Sequence, residues 1–405
     1  MTDPTVLLIW ADGLSSRYLN ELDTPLLSKF AVGSRQATLQ SMFGYLSVGG
    51  AVFCGLQPGR SRLLWEFGRR EAPASVGSAL RAVLSVVDHV PNDRARFLLR
   101  LGILRSLGTE YLGLANAIPH DLLWYFQPRL SSQLEHRPRV GEGVNTIFDW
   151  LVGAGMAYEY SRPPPADEGS AAASLISRIR KGQLPNLFVY HPVSLDVTGH
   201  KSGPRGAATK RAIARFDRTT GRILSAIEHS PAKILCITMS DHGMQPIENL
   251  FDSQSRIRRL PLRIGKDYLY FMDSTMIRFW FETASAEDII RSDFSGPGRF
   301  LTQRDLEAAA IGKPDRFYGD LFFAIEQGWA VYPDFFRRTH RPRGMHGYYR
   351  QTYDTPVAIV GGSPGLSPRF TVPEGNHTDI CRTMADFLGL KAPFEMDGKP
   401  IVEYS

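Results

Sequence analysis

Six acids and histidines of this chain occur in short motifs of a kind that binds divalent metal ions. Carboxylate oxygens and imidazole nitrogens are zinc ligands, and a catalytic zinc takes three of them while keeping a fourth position open. Three acids and three histidines therefore supply two sets, and two metals about 4 Å apart can hold the attacking and departing oxygens of an in-line displacement. The six residues are Asp12, Asp196, His200, Asp241, His242 and His346.

Their spacing favours shared metals. Asp196 and His200 are four residues apart in Asp-Val-Thr-Gly-His, so one helical turn or a tight loop can direct both to one cation. Asp241 and His242 are adjacent in Ser-Asp-His-Gly-Met, where the glycine permits a sharp turn. His346 is flanked by glycines in Gly-Met-His-Gly. Each motif alone also fits a surface loop or a strand end, so the prediction depends on their joint occurrence.

Apolar runs that end shortly before these motifs predict buried strands of a parallel sheet. The runs are 6–11, which stops at the first acid, then 187–190 and 234–238, which lead to the later acids, and 357–360, which leads into a glycine-rich turn. Helical segments between strands that deliver polar residues at their carboxyl ends describe an open α/β sheet with its site along that edge.

Two amphipathic helices are predicted at 209–227 and 379–388, and Gly389 is the expected stop of the second. Two long stretches interrupt the alternation of strands and helices. The first, about 62–185, is rich in arginine and mostly helical, and the second is about 245–343. We interpret residues 1–405 as a single catalytic domain with these two stretches inserted as cap subdomains.

The second insertion contains its own predicted elements, which are strands at 268–272 and 276–281 and a helix that starts at 286. In the first insertion, the aromatic residues Trp124, Tyr125 and Phe126 have two possible roles, which are stacking on a base or sugar and packing in a core. Packing is the expected role.

Composition limits the remaining classes of function. The net charge of +6 arises from 47 basic and 41 acidic residues without basic blocks, so no nucleic acid is expected as a partner. No apolar run approaches the roughly 20 residues of a spanning helix, so no membrane is expected either. Three cysteines argue against a disulfide framework, and the start of the chain lacks the basic region of a signal peptide, so we expect a cytoplasmic protein.

The order of the motifs resembles the alkaline phosphatase superfamily and, within it, the type I phosphodiesterase and nucleotide pyrophosphatase branch. The Ser-Asp-His-Gly-Met block is the most specific of them. This resemblance implies a three-layer α/β sandwich with a mostly parallel central sheet and inserted caps. The similar motifs are Asp12-Gly13, Thr24-Pro25-Leu26-Leu27, Asp196-x-x-x-His200, Ser240-Asp-His-Gly-Met244, Tyr318-Gly-Asp-Leu-Phe-Phe323 and Gly344-Met-His-Gly-Tyr348.

The resemblance also implies how the ligands divide between two divalent metals, with zinc as the first choice and manganese as the alternative. One metal would be held by Asp196, His200 and His346. The other would be held by Asp12, Asp241 and His242.

The nucleophile that the family supplies is a threonine or serine about ten residues before the glycine of a TG..P turn. Here that turn reads Cys54-Gly-Leu-Gln-Pro58, and counting back ten from its glycine gives Tyr45. We predict Ser47, because Phe-Gly-Tyr-Leu-Ser is similar to the GYSSG text of family members with one extra residue. Ser41 is the next candidate, and a tyrosine is a bulkier nucleophile.

The asparagine that helps to hold phosphate in many relatives is missing after the nucleophile. Backbone amides of Gly49 or Gly50 are therefore expected to donate to the phosphoryl oxygens. Lys201 and Arg205 are candidate contacts for the substrate, although as surface charges they need no special explanation.

The function predicted from the resemblance is two-step hydrolysis of phosphodiester or pyrophosphate bonds in a small phosphorylated metabolite. A phosphomonoesterase or phosphomutase on the same scaffold is the first alternative, and a binding protein that has lost its nucleophile is the second. Sulfate esters are not expected, because the Cys-x-Pro-x-Arg signature of sulfatases does not occur at this position. The sequence does not indicate an oligomeric state.

Overall fold

A computed structural model describes residues 4–75, 77–106, 117–128, 144–313, 315–337, 340–350 and 355–404. The chain divides into two compact units. The first contains Met1–Leu63, Leu130–Pro246 and Arg350–Ser405, and the second contains Leu64–Arg129 and Ile247–Tyr349.

The elements are numbered in chain order. The α-helices α1 to α13 span Pro25–Phe30, Ser47–Cys54, Pro58–Ser61, Ser78–Asp88, Asp93–Ser106, Ile147–Gly153, Glu168–Arg180, Ser194–Ser202, Ala207–Ile227, Ser253–Ile257, Ala284–Asp293, Gln303–Ala308 and His377–Leu388. The strands β1 to β19 span Thr5–Trp10, Gln36–Leu39, Phe67–Arg69, Phe126–Pro128, Tyr158–Ser161, Leu187–Tyr190, Ile234–Met239, Gln245–Pro246, Asn249–Phe251, Tyr268–Met272, Met276–Phe281, Gly298–Phe300, Leu321–Ile325, Trp329–Val331, Gly344–Met345, Val357–Gly362, Arg369–Phe370, Glu374–Gly375 and Val402–Glu403.

The first unit is built on a seven-stranded sheet with the order β18-β2-β16-β7-β1-β6-β5. Strand β1 pairs in parallel with β6 and with β7, and β5 pairs in parallel with β6. Only β16 runs against its neighbours β7 and β2. The carboxyl ends of β5, β6, β1 and β7 therefore lie along one edge. The strand predicted at 357–360 is confirmed, but its carboxyl end points to the opposite edge.

Both faces of this sheet are covered by helices. Alternate side chains of β1 point to opposite faces, as the pleat of a strand requires. Val6, Leu8 and Trp10 belong to an apolar cluster with residues of α2, α6 and α13. Leu7 and Ile9 belong to a second cluster with residues of α7, α8 and α9. This arrangement of helices, sheet and helices confirms the predicted three-layer α/β class.

The two predicted amphipathic helices are confirmed with small shifts of their first residues. The helix predicted from residue 209 is α9, which starts at Ala207, and the one predicted from residue 379 is α13, which starts at His377. Gly389 follows α13 with a φ of 67°, the left-handed conformation that glycine adopts at a helix end.

The second unit has a four-stranded antiparallel sheet with the order β10-β11-β13-β12. Strands β10 and β11 have the predicted bounds, and the predicted helix is α11, which begins two residues earlier than expected. The core is strongly aromatic and includes Trp124 and Phe126, which are 5% and 4% exposed. Their burial supports the packing role.

The second compact unit and the predicted insertions have different limits. The first predicted insertion extends to residue 185, whereas the first segment of the second unit ends at Arg129. The described residues from 144 onward belong to the first unit, because β5 joins its sheet and α6 packs in its core. In the described part of the chain, no helix combines the length and the apolar character that a membrane span requires.

Candidate metal centre

Asp12 is the second residue after the end of β1, at the edge where the parallel strands finish. The next residue, Gly13, has a φ of +82°, and a Cβ atom there would lie 3.2 Å from the backbone nitrogen of Asp196. Glycine is required for this conformation and for this close approach. The Asp12 turn therefore lies directly against the start of the Asp196 motif.

Asp196 and His200 lie on one face of α8, as their spacing predicts. The His200 Nε2 atom is 3.1 Å from Asp196 Oδ1. The start of α8 is fixed by Glu168, whose Oε1 accepts hydrogen bonds of 2.8 and 2.7 Å from the backbone N–H groups of Val193 and Ser194. A carboxylate that caps the amino end of a helix stabilises it, so Glu168 fixes the turn that presents Asp196.

Asp241 and His242 follow β7. Asp241 Oδ1 accepts a 3.1 Å hydrogen bond from Gly13 N–H and a 2.9 Å bond from His242 N–H, which ties this turn to the Asp12 turn. The His242 Nδ1 atom lies 2.9 Å from the Gly243 carbonyl oxygen. Because a carbonyl can only accept, Nδ1 carries the proton. In the neutral ring, the lone pair of Nε2 is then available to a metal.

The same Nε2 atom lies 3.4 Å from Asp12 Oδ1 and 3.4 Å from Asp241 Oδ2. Asp12, Asp196 and His242 each offer one ligand atom, and these atoms lie within 4.8 Å of one another. Two carboxylates and one imidazole are a donor set that suits zinc or manganese. The residues therefore fit a divalent ion, with Asp196 in the group and Asp241 beside it.

The electrostatics of these residues also favour a cation. Burial alone would raise the pKa of Asp12, but hydrogen bonds and positive charge from His191 and His242 outweigh it and hold that pKa well below its usual value. Burial and the neighbouring Asp12 raise the pKa of Asp241. Burial disfavours the charged form of His242, yet Asp241, Asp12 and Asp196 raise its pKa to about 10. Negative charge is thus in excess.

Two of the ligand motifs pack against each other through Gly199 and Met244. A Cβ atom at position 199 would lie 2.8 Å from the Met244 Cε atom. Because Gly199 has no side chain, the Met244 side chain can pack against the backbone of the Asp196–His200 motif.

The other predicted site residues lie in helices α2 and α8 and directly after strand β15. Ser47 is the first residue of α2, is fully buried, and donates a 2.6 Å hydrogen bond from Oγ to the Phe43 carbonyl. Gly49 is half-buried in the first turn of α2, and Lys201 is exposed near the end of α8. His346 belongs to the second unit, where it is half-buried directly after β15. The nucleophile, the phosphate contacts and the His346 ligand stay predictions.

Two further buried histidines lie beside the ligands, and neither belongs to the predicted ligand set. His191 directly follows β6, and its Nε2 atom lies 3.1 Å from Asp12 Oδ2. Its position after a predicted strand was the signal that could have found it. His377 donates a 2.9 Å hydrogen bond from Nε2 to the carbonyl of Ser240, so it holds the residue before the Asp241 motif, and burial lowers its pKa to about 4.

A mostly parallel α/β sheet with acids and histidines at its edge is the arrangement expected of the alkaline phosphatase-like class. The sequence profile described as type I phosphodiesterase / nucleotide pyrophosphatase matches residues 124–349, more than half of the chain. The chain belongs to this family, as the motif resemblance predicted.

Several curated proteins are similar over part of their length. Venom phosphodiesterase CdcPDE of Crotalus durissus collilineatus is 22% identical over 245 residues, which cover 54% of this chain and 27% of that protein. Venom phosphodiesterase 2 of Crotalus adamanteus is 22% identical over 225 residues, which cover 52% of this chain and 27% of that protein. The chain thus spans about a quarter of the length of these relatives.

Solved structures with the same fold cover nearly the whole chain. Human ectonucleotide pyrophosphatase/phosphodiesterase 5 superposes with a TM-score of 0.68 at 14% identity, covering 98% of this chain and 97% of that one. An inactive variant of the murine protein, in complex with AMP, gives a TM-score of 0.67 at 14% identity and covers 98% of each chain. At 14% identity these structures are evidence for the fold alone, and they confirm the predicted fold class.

Proposed function

We propose that this protein is a metal-dependent hydrolase of phosphodiester or pyrophosphate bonds in small phosphorylated metabolites. The observation that carries the proposal is the group formed by Asp12, Asp196 and His242, whose ligand atoms lie within 4.8 Å of one another. The excess of buried negative charge around His242 supports it, since a dication would offset that charge. Membership of the family and the phosphodiesterase names of the curated relatives support the reaction class.

The proposal includes two divalent metals, zinc or alternatively manganese. Asp12, Asp196 and His242 would hold the first, with Asp241 Oδ2 as a further ligand. Asp241 Oδ1 would keep the two ligand turns together through Gly13 N–H and His242 N–H. The second metal rests on the motif resemblance, and the first unit supplies Asp196 and His200 for it. When bound, such metals would lower the pKa of a hydroxyl and offset charge on phosphoryl oxygens.

Ser47 is the proposed nucleophile. Its hydroxyl must turn away from the Phe43 carbonyl, to which it donates a hydrogen bond of 2.6 Å, before it can attack phosphorus. Its position at the start of α2 supports the role, because backbone N–H groups in the first helical turn have no partner within the helix and attract phosphate. Gly49 lies in that turn and would donate one of these N–H groups.

The proposed substrate is of the nucleotide type. The murine structural neighbour binds AMP, and that protein has the same fold over 98% of this chain. The exposed Lys201, which follows the ligand His200 on α8, would contact a phosphate or another anionic group of the substrate.

The test uses purified protein with its metal content measured by mass spectrometry, and two chromogenic substrates, p-nitrophenyl thymidine monophosphate and p-nitrophenyl phosphate. We expect wild type to hold a divalent metal and to cleave the diester faster. Ser47→Ala should retain the metal and lose turnover, because it removes only the attacking oxygen. Ser41→Ala and Tyr45→Phe are matched controls that should keep turnover.

Each contrary outcome points to a different error. A wild type that holds metal and cleaves neither substrate would make this a binding protein. A faster reaction with the monoester would favour a phosphomonoesterase. If Ser47→Ala is fully active and either Tyr45→Phe or Ser41→Ala is inactive, the nucleophile is the residue changed in the inactive variant.

A further inference from the structure

His191 makes two hydrogen bonds that fix its ring beside Asp12. It is 3% exposed, its Nε2 atom lies 3.1 Å from Asp12 Oδ2, and its Nδ1 atom lies 2.5 Å from the hydroxyl oxygen of Tyr160. The three residues come from the ends of the neighbouring strands β1, β6 and β5.

The chemistry of the partner sets the direction of the bond to Asp12. An ionised carboxylate can only accept, so His191 Nε2 carries the proton and donates to Asp12. Nδ1 is hydrogen-bonded to the Tyr160 hydroxyl, which can accept from a charged ring or donate to a neutral one. Both ring nitrogens of His191 are occupied, so this residue acts on a metal only through Asp12.

The ring plane of His191 is fixed as well. It stacks on Trp10 with a centroid distance of 4.9 Å and an interplanar angle of 15°. Trp10 is the last residue of β1, two residues before Asp12. The strand that carries the carboxylate therefore also positions its hydrogen-bond donor.

The two carboxylate oxygens of Asp12 face different partners. Oδ2 accepts from His191, and the guanidinium of Arg162 lies 4.0 Å from the same oxygen. Oδ1 lies 3.4 Å from Nε2 of His242, the nitrogen available to a metal. The first oxygen is held by the protein, and the second faces the ligand group.

We propose that His191 is a positioning residue that holds Oδ2 of Asp12 so that Oδ1 is the oxygen presented to the metal. This inference rests on the proposed function, because it concerns a ligand of the proposed metal centre. Hydrogen bonds to the ligands of a metal orient them, and their loss typically weakens metal binding by about 10- to 100-fold.

The experiment is a titration of chelator-treated protein with zinc in a calorimeter, with thermal unfolding of the metal-free protein measured alongside. His191→Phe keeps an aromatic ring against Trp10 and removes the donor. We expect its affinity for one zinc to fall about 10- to 100-fold, and a cooperative unfolding transition of the metal-free form shows that the variant is folded. His191→Gln offers an amide N–H at a similar distance from the backbone and should recover most of the affinity. His229→Phe, at an exposed histidine of the same unit, is the matched control and should bind like wild type.

The outcomes separate this inference from the proposed function. A wild type that binds no zinc overturns the function itself. A wild type that binds zinc and a His191→Phe variant of equal affinity overturn only the role of His191. If His191→Phe does not fold, Tyr160→Phe decides the question, because it removes the hydrogen bond that fixes the His191 ring at Nδ1. A several-fold lower affinity of this variant for zinc supports the inference. Wild-type affinity contradicts it.

Discussion

Each compact unit contains a buried cluster of charged side chains, and the two clusters differ in where their positive charge comes from. In the second unit, fully buried Arg278 forms a 2.9 Å ion pair with Asp273 and donates a 2.7 Å hydrogen bond to the Phe67 carbonyl. Aromatic rings surround its guanidinium, including Phe271 with its centroid 4.7 Å away. The chain itself supplies the cation there.

In the first unit, Asp12, Asp196 and Asp241 surround one imidazole, that of His242, whose pKa they raise to about 10. Even as an imidazolium, His242 offsets only one of the three carboxylate charges, and its proton has to leave before Nε2 can bind a metal. Burial alone therefore does not distinguish a structural cluster from a metal site. The balance of fixed charge does, and this can be tested in both units.

The largest effect is expected from Asp241→Asn. The amide oxygen can still accept from Gly13 N–H and His242 N–H, but one negative charge beside Asp12 is lost. We expect bound metal to fall and turnover to be lost. Because the like-charge repulsion decreases, the metal-free protein should unfold at the same or a higher temperature. Metal analysis, the chromogenic diester and calorimetry with a chelator measure the three quantities.

A lower unfolding temperature of the metal-free variant would contradict the difference proposed between the two charged clusters. If metal-free Asp241→Asn unfolded well below wild type, Asp241 would be a structural residue like Asp273. Undiminished metal in this variant would remove Asp241 from the metal centre.

The next effect concerns Arg278→Met in the second unit. The variant leaves Asp273 buried without its cation, and such a loss typically costs about 3–5 kcal/mol of unfolding free energy. Denaturant unfolding measures it. Arg291→Met removes an exposed arginine paired with Glu287 on α11, and it should stay within about 0.5 kcal/mol of wild type.

A double variant sharpens this result. Arg278→Met combined with Asp273→Leu removes both charges, and an apolar pair of similar volume can replace a buried ion pair at little cost. Most of the lost stability should return. A double variant as unstable as the single one would show that the hydrogen bonds of Arg278 to backbone carbonyls, and not its charge, stabilise this unit.

The smallest effect is a pH dependence from Glu66, which lies near Asp273. Burial raises the pKa of Glu66 from 4.5 to about 7, and Asp273 adds to the shift although Arg278 opposes it. Below pH 4.5 the carboxyl is protonated in both states and costs nothing. As the pH rises from 4.5 to about 7 the unfolded state gives up its proton first, so stability falls, and above pH 7 the full cost is present.

Glu66→Gln mimics the neutral acid and should remove this loss. It should match wild type near pH 4.5 and exceed it by about 1–3 kcal/mol above pH 7. Urea unfolding across this pH range gives the difference in unfolding free energy between the variant and wild type. Asp273 titrates in both proteins, so its contribution largely cancels. A difference that is independent of pH would mean that Glu66 stays ionised in the folded protein.

The sequence predicted those parts of the molecule that local patterns determine. Strands β6, β10 and β11 have the expected bounds because each is an apolar run with clear ends. The motifs Asp196–His200 and Asp241–His242 could be predicted as candidate metal ligands because such ligands need particular residue types at short spacing.

Other features depend on which distant segments become neighbours, and no local pattern contains that information. The role of His191 requires β1, β6 and β5 to be adjacent. Glu168 caps α8 although it lies 25 residues before Val193 in the chain. The reversed direction of β16 is visible only in its antiparallel pairing with β7 and β2, and its apolar residues do not indicate it. The limits of the second compact unit are of the same kind.

The contact between Gly199 and Met244 makes two ligand motifs dependent on each other. Any side chain at position 199 would have to displace the methionine or tilt α8, and with it the carboxylate and imidazole that α8 carries. Homologues with a larger residue at the first position should therefore carry a shorter one at the second. Covariation of this pair across the family would show that the two motifs of the proposed metal centre are constrained together.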